Sequence, residues 1–455
     1  MPDYQAVVWT RVAGEPVKMG SLYVTESEAR FQYTAEFPKT ALPGLSLVYP
    51  PAVYGTRPVV FRRPRQLHPR LRALIPPPGE HNFQRRLLLA HLRAQGAACD
   101  DPFAEDWALL TLAGHGGVGH VDCFADDDAA RAWYGDTRPA PLVEVGERMG
   151  AALRDLIAWL DADAAALLQT LGPTPSVGGA VPKLLVAIPR AGWTGQVSAP
   201  TKGPDPSRID VVLKLERSQA YPGLVELEAM ALEVHAAAGF AVPRHWRCEV
   251  AGLPALAVER SDRDAEGRPI PFESWFAILA AGAGDITTPY DGSLDRIGRA
   301  IDTPAITLVG DRREAKRHLF RRLLVALLTG NGDLHLENLA VLGSGDAAGF
   351  SPVFDPTPMR AYSLHDMVTP LPFGDYGQLP DGVETPVGLT DAVARFARAL
   401  GIRRDEAAEL VRGARAATDD YVERVHALTT LPEPHKRRLE QICLDMRRRL
   451  ADAAD

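Results

Sequence analysis

The sequence predicts an α+β fold, β-rich in its first part and mainly helical in its last, and three features of its patterning predict it. Short alternating segments punctuated by Gly, Pro and Ser fill the N-terminal region. A second run of short strands begins near Pro175, and from about Phe272 onward helical periodicity dominates. At 455 residues the chain exceeds what one core fills, so two or three domains are expected. Charged residues make up 24% and hydrophobic ones 46%, which excludes a disordered or fibrous chain.

Taken in order, QAVVWTRV, GSLYVTE and ARFQYTAEF read as strands, and SLVYP leads into a Pro-rich loop. HNFQRRLLLAHLRAQG reads as a helix stopped by a glycine, and GHGGVGHVDCF as a turn followed by a short strand. ERMGAALRDLIAWLDADAAALLQTLG is amphipathic, closed by Gly172 and Pro173, and links this region to the next. Then come the strands KLLVAIPRAG and VVLKL, the helix LVELEAMALEVHAAAG stopped by Gly239 and Pro243, and a hairpin of HWRCEVAG with LPALAVERSDR. A β-rich lobe enclosing one helix, a strand leading out and a helical lobe with a polar loop is the order of a two-lobed ATP-binding architecture.

The net charge of −8 and sequence pI near 5.9 argue against a protein that grips nucleic-acid phosphates unaided. The basic clusters at Arg62 to Arg72, Arg312 to Arg322 and Arg447 to Arg449 read as solvated or structural helix faces. Four cysteines without a CxxC pair argue against a zinc site or disulfide framework and fit a reducing compartment. With neither a leader pattern nor a bilayer-length apolar run, a cytoplasmic protein with no membrane partner is expected.

The helix DRREAKRHLFRRLLVALLTG grows apolar all round towards its end and delivers the chain into GNGDLHLEN, Gly330 to Asn338. Asp333 and Asn338 stand five residues apart, the spacing by which a kinase catalytic loop sets a base and a metal-binding amide beside the terminal phosphates. Asp355, in SPVFDPTPMRAY after the strand LAVL, is placed to bind Mg²⁺. Each Asp alone also fits a turn cap. Lys214 lies mid-strand in VVLKL, where a half-buried ammonium needs an anion. ATP phosphates with Glu226, Glu228 or Glu233 of the next helix would supply it. In TPSVGGAVPKLLV the glycines let backbone amides approach phosphate, and Lys183 adds charge, although Gly pairs are common in hairpin turns.

These residues together resemble the HipA family of bacterial serine/threonine protein kinases, toxins of two-component toxin–antitoxin systems. VKMGSLYVTESEARFQYTAEF and ALPGLSLVYP look like the family's N-terminal β domain, and SVGGAVPKLLV, VVLKL, ELEAMALEVHAAAGFAVP, LPALAVERSDR, GNGDLHLEN and PVFDPTPMRAY like its kinase core. The resemblance implies a two-lobed protein-kinase-like fold. It sets a β-rich domain over residues 1–150, a nucleotide lobe over 151–270 and a helical C-lobe over 271–455. It implies Asp333 as catalytic base, Asn338 and Asp355 as Mg²⁺ ligands, and Lys214 on the phosphates of ATP. It implies His335 as a loop-orienting residue and Glu228 as the helix acid. Ser176, Val177, Gly178, Gly179, Ala180 and Lys183 would form the phosphate loop, and Glu259, Arg260 and Ser261 the adenine-binding hinge. Ser176 is the implied autophosphorylation site. A protein substrate such as an aminoacyl-tRNA synthetase, a small helix-turn-helix antitoxin of the HipB type, and DNA contact only through that partner are implied likewise. Two departures stand out: Gly178 occupies a place where many members carry a second serine, and Glu273-Ser274-Trp275-Phe276-Ala277 replaces a Glu-Asp-X-X-Gln signature. A small-molecule phosphotransferase of the aminoglycoside or choline kinase type and a non-catalytic transcriptional regulator are the competing readings.

Overall fold

The computed structural model describes residues 4–63, 65–79, 82–96, 101–145, 181–217, 219–282, 284–378 and 384–451. The chain divides into two compact units, Met1–Arg217 with Arg244–Glu273, and Ser218–Pro243 with Ser274–Asp455. Among the described residues no helix is long and apolar enough to cross a membrane.

The first unit opens with strands β1 (Tyr4–Thr10), β2 (Val17–Val24), β3 (Ala29–Tyr33) and β4 (Val59–Phe61), joined later by β5 (Asp122–Phe124). They form one sheet in the order β4-β3-β2-β1-β5, with β1 and β5 antiparallel. In β3 the period of two is complete: Ala29, Phe31 and Tyr33 are buried while Arg30 and Gln32 are exposed. The short helices α1 (Pro51–Tyr54) and α2 (Pro69–Arg72) are followed by α3 (Phe83–Ala94), α4 (Pro102–Ala113) and α5 (Asp127–Gly135). Asn82 caps α3, accepting from the Arg85 amide at 2.9 Å, and Gly96, with φ 77°, ends it. Leu71, Leu88, Leu92, Phe103 and Leu110 fill the core against the sheet. On the sheet's other side, Ala130 and Tyr134 of α5 pack with Val7 and Phe124.

Further on, β6 (Val143–Glu144) pairs with β8 (Gln196–Val197) as a small separate ladder, and a second large sheet is made of β7 (Lys183–Pro189), β9 (Arg208–Leu215), β10 (His245–Val250) and β11 (Leu253–Glu259). Its four strands run β10-β11-β9-β7, all antiparallel. The β10–β11 hairpin turns on Ala251 and Gly252, both at positive φ, as a two-residue hairpin requires. Helix α3 belongs to both cores, because Phe83 and Leu87 point to this sheet while Leu88 and Leu92 point to the first.

A buried ionic cluster fastens the end of β11 to the turn before β5. Arg260 donates to the carbonyls of Gly116 and Gly117 at 3.1 and 2.6 Å, Arg263 donates to Gly117 and Gly119, and the Gly119 amide donates to Asp262 at 2.6 Å. Asp262 also accepts from both arginines. Burial pushes its carboxyl up, but the two guanidinium groups outweigh that and hold it well below the usual carboxylate range. The first unit ends at Glu273, within the short strand β12 (Phe272–Ser274).

The second unit holds α6 (Leu224–Ala237), then α7 (Trp275–Gly282), α8 (Leu294–Ile301) and α9 (Arg312–Thr329). The hairpin β13 (Ala340–Leu342) with β14 (Gly349–Phe350) precedes α10 (Leu389–Ala399), α11 (Arg404–Ala417), α12 (Tyr421–Ala427) and α13 (Glu433–Arg449). Although α6 falls between strands of the first unit in sequence, its contacts are with the C-terminal helices. The Glu226 carboxylate accepts from the amides of Thr429 and Thr430, both at 2.8 Å, and from both hydroxyls. Gly223, at φ 76°, sits so close to Leu431 that a Cβ there would lie 2.6 Å from its Cα. At the other end His235, wholly buried, bonds the equally buried Arg322 of α9.

Asp262→Asn removes the charge that compensates Arg260 and Arg263 inside the protein and is expected to cost about 3–5 kcal/mol, read as a lowered urea midpoint at unchanged slope.

Candidate active site

Helix α9 is buried from Arg322 to Thr329 and stops at Gly330, which takes φ 75° as the C-cap. The chain then turns sharply. The Asn331 amide donates to Ala326 O at 2.9 Å, and the Arg360 amide donates to Gly330 O at 3.1 Å. Gly332 has no room for a side chain, since a Cβ would meet Met367 O at 2.5 Å. Asn331, 1% exposed, accepts the Asp333 amide on Oδ1 at 3.0 Å. The Asn338 side-chain amide donates to Asp333 O at 2.8 Å. Both backbone groups of Asp333 are therefore fixed, while its side chain keeps 29% exposure. Asn331 was invisible to a search for acids, bases and ligands; its only signal was a polar residue directly after a buried helix.

His335 lies beside the acid, with Nε2 3.8 Å from Asp333 Oδ1, too long for a hydrogen bond. Its Nδ1 accepts the Glu337 amide at 3.2 Å, so the neutral ring carries its proton on Nε2. Asn338 donates through nitrogen to Asp333, which leaves its amide oxygen as the end suited to a cation. Asp355 stands at φ 47°, a left-handed conformation uncommon outside glycine and frequent at functional positions. A carboxylate and an amide oxygen are hard donors of the kind Mg²⁺ takes alongside water and phosphate. Among the described residues, no cluster of three or more His, Cys, Asp or Glu side chains is arranged to hold a metal by itself.

In the first unit, Lys214 of β9 and Lys183 of β7 are direct cross-strand partners, 6% and 7% exposed. Register puts Leu185, Val212, Leu256 and Val258 on the same sheet face, opposite to the core face of Leu184, Val186, Leu213 and Leu215. An apolar strip thus ends in two buried ammonium groups, with Glu216 two residues beyond Lys214. Like charges directly opposite one another are unfavourable unless anions compensate them. The Glu259 carboxylate is held by Arg244 at 2.6 and 2.9 Å, and the Arg260 guanidinium by the 116–119 turn. At Glu259, Arg260 and half-buried Ser261, what a nucleotide could meet is chiefly backbone. Ser176, Val177, Gly178, Gly179 and Ala180 lie outside the described residues.

Of the three helix acids, Glu226 is committed to Thr429 and Thr430, and Glu233 to Arg424, while Glu228 is buried on α6. Glu226 and Glu233 thereby anchor the helix that carries Glu228.

The fold is thus mixed: one unit pairs two antiparallel sheets, and the other is a helical body holding a rigid Asp-to-Asn loop. Residues 175–422 match the HipA-like C-terminal domain, and the chain belongs to that family. A Haemophilus influenzae relative named "Putative kinase" is 24% identical over 256 residues, 51% of this chain and 71% of the relative. The fold is similar to HipA of the Shewanella oneidensis MR-1 toxin–antitoxin system, solved with HipB and its operator DNA. The TM-score is 0.63 at 17% identity, over 96% of this chain and 97% of that one. The Helicobacter pylori proinflammatory kinase CtkA aligns at 12% identity over 54% of this chain and 86% of its own, with a TM-score of 0.35, too low to carry an argument.

The Glu226 carboxyl is raised by burial and lowered more strongly by its bonds from Thr430 and Thr429, so it lies below its ordinary value. A depressed acid stabilises the fold above its unfolded pKa and loses that contribution as pH falls through the folded one. Glu226→Gln should therefore cost about 1–3 kcal/mol at pH 7. Its deficit relative to the parent chain should shrink as urea titrations move to acid pH.

Proposed function

We propose that the chain is an ATP-dependent serine/threonine protein kinase of the HipA type, with Asp333 as the base. The observation that carries this reading is a partly exposed carboxylate whose backbone is pinned on both sides, by Asn331 and Asn338, in a chain of the HipA-like family. Such pinning gives a general base a fixed aim at no reorganisation cost. Lys214 and Lys183 fit the phosphates of ATP, the strip of Leu185, Val212, Leu256 and Val258 fits its base, and Glu228 fits the role of helix acid. Mg²⁺, held by Asn338 and Asp355, would offset the phosphates' negative charge. Asp333 accepts the proton of the acceptor hydroxyl as its oxygen bonds to the γ-phosphorus, and the bond to the ADP oxygen breaks.

The further features of this reading follow the family. Residues 1–150 act as the HipA-type N-terminal domain, 151–270 as the nucleotide lobe and 271–455 as the C-lobe. The segment from Ser176 to Ala180 is the phosphate loop, with Ser176 a candidate for autophosphorylation. The protein acted on belongs to the translation machinery. A HipB-type antitoxin partner is supported by the likeness to the Shewanella protein, and operator DNA would be reached through that partner.

The test is incubation of purified protein with γ-labelled ATP and Mg²⁺, alone and with a bacterial lysate. Label should appear on the chain or on a lysate protein. Asp333→Asn should lose about 10²–10⁴-fold in turnover while still binding ATP, and Lys214→Met and Asp355→Asn should lose ATP binding by calorimetry. Label on a metabolite alone would favour a small-molecule phosphotransferase. Parent-like turnover by Asp333→Asn would overturn the assignment.

A further inference from the structure

Tyr290 lies in the 284–293 loop between α7 and α8 and is 52% exposed, yet its hydroxyl donates to Asp333 Oδ1 at 3.3 Å. The loop is well built. Asp291 accepts from the amides of Thr287 and Thr288 at 2.7 Å and from the Thr287 hydroxyl at 2.8 Å. The Leu336 amide donates to Pro289 O at 3.0 Å, tying the loop to the segment that carries Asp333. The Tyr290 ring meets the edge of His335 with centroids 4.9 Å apart. Partial burial and the neighbouring carboxylate both raise its pKa, so the phenol keeps its proton and acts as the donor.

A hydroxyl donating to the base is the geometry an acceptor must reach before transfer. At 3.3 Å the bond is long for O–H···O and hence weak. Asp333 does not depend on it for its aim, because Asn331 and Asn338 already fix its backbone. One exposed apolar side chain stands beside the turn that carries Asp333, and a second lies three residues before it in the chain. Exposed large apolar side chains are few among the described residues, and besides Tyr290 they include Leu364 at 81% and Met367 at 39%. Met367 is next to the catalytic turn, its carbonyl 2.5 Å from where a Cβ on Gly332 would stand.

Building on the kinase reading, we propose that Tyr290 marks the acceptor site. Its hydroxyl holds the place of the substrate hydroxyl at Asp333, and Tyr290, Leu364 and Met367 form an apolar rim that receives a hydroxyl-bearing segment flanked by apolar residues. When that segment arrives, its hydroxyl replaces the phenol as donor to Asp333, and transfer proceeds from the substrate oxygen to the γ-phosphorus with ADP leaving.

The experiment measures ATP turnover with two acceptors, water and dephosphorylated casein, in the parent, Tyr290→Phe, the Leu364→Ser/Met367→Ser double variant and Asp333→Asn. Tyr290→Phe should raise hydrolysis by water several-fold and lower KM for casein, with KM for ATP unchanged. The double variant should raise KM for casein several-fold relative to the parent. A Tyr290→Phe enzyme with lower kcat on both acceptors and unchanged KM would make Tyr290 an orienting group and overturn the proposal. So would phosphate on Tyr290 in the parent by mass spectrometry, or an unchanged casein KM in the double variant. Loss of all ATP turnover in Asp333→Asn, alongside any of these outcomes, would leave the kinase reading standing. Absence of Asp333-dependent turnover in the parent overturns both.

Discussion

The loop that carries Asp333 depends on how helix α9 ends. A helix buried in its last two turns must satisfy its final carbonyls without water, and here the left-handed Gly330 lets the Gly330 and Asn331 amides fold back onto Ala326 and Leu327. Tyr421 closes the helix's last carbonyl, donating to Thr329 O at 2.9 Å. With the helix end sealed, Asn331 is trapped in the interior, and its side chain has the Asp333 amide to accept. The aim of Asp333 therefore follows from core packing several residues upstream. Any side chain at Gly330 would be strained by its φ of 75°, and one at Gly332 would collide with backbone.

A second constraint acts through α6. Its burial pattern shows an almost continuous inner surface, from Leu224 to Leu232, and its polar anchors sit at both ends. Glu226 is held by the Thr429–Thr430 turn, and His235 by Arg322. Burial depresses the Arg322 guanidinium to about 9, and depresses His235 further, with Arg322 adding to that effect. A neutral imidazole beside a buried guanidinium accepts where an imidazolium would repel. Glu228 is thus carried on an element tied to the Thr429–Thr430 turn at one end and to α9 at the other.

Much of this was legible in the sequence because it rests on local rules. Alternation marked β1 to β3, glycine stops marked the ends of α3 and α6, and the apolar sweep of α9 into two glycines marked the turn before Asp333. The two-residue Ala251–Gly252 turn was legible as a hairpin. What stayed hidden was long-range. Nothing near Glu226 announces Thr429 and Thr430, about two hundred residues on, because a carboxylate on a helix looks the same whether it faces phosphate, solvent or a distant turn. Tyr290 was likewise silent, since an aromatic in a Thr-Pro-Tyr-Asp loop has no periodicity to interpret. Arg260 shows the converse case: its neighbours resemble a hinge, but its own guanidinium closes a buried network with the 116–119 turn.

The segment Glu273 to Ala277, where the chain departs from the family signature, is explained by packing. Glu273 is 4% exposed, and its carboxylate accepts the Ser46 hydroxyl at 2.6 Å and the Leu47 amide at 2.8 Å, within the ALPGLSLVYP stretch of its own unit. Burial raises its pKa, and the nearby Arg70 partly offsets that rise. Trp275 is wholly buried, its amide donating to Leu339 O at 2.9 Å, and Phe276 donates to Leu336 O at 3.1 Å. Trp275 and Phe276 thereby tie the start of α7 to the segment that runs from Asp333 to β13. A carboxylate closed over by Ser46 and Leu47 has no surface to offer an acceptor. The carboxylate at position 273 therefore bears on how the core of the first unit is assembled.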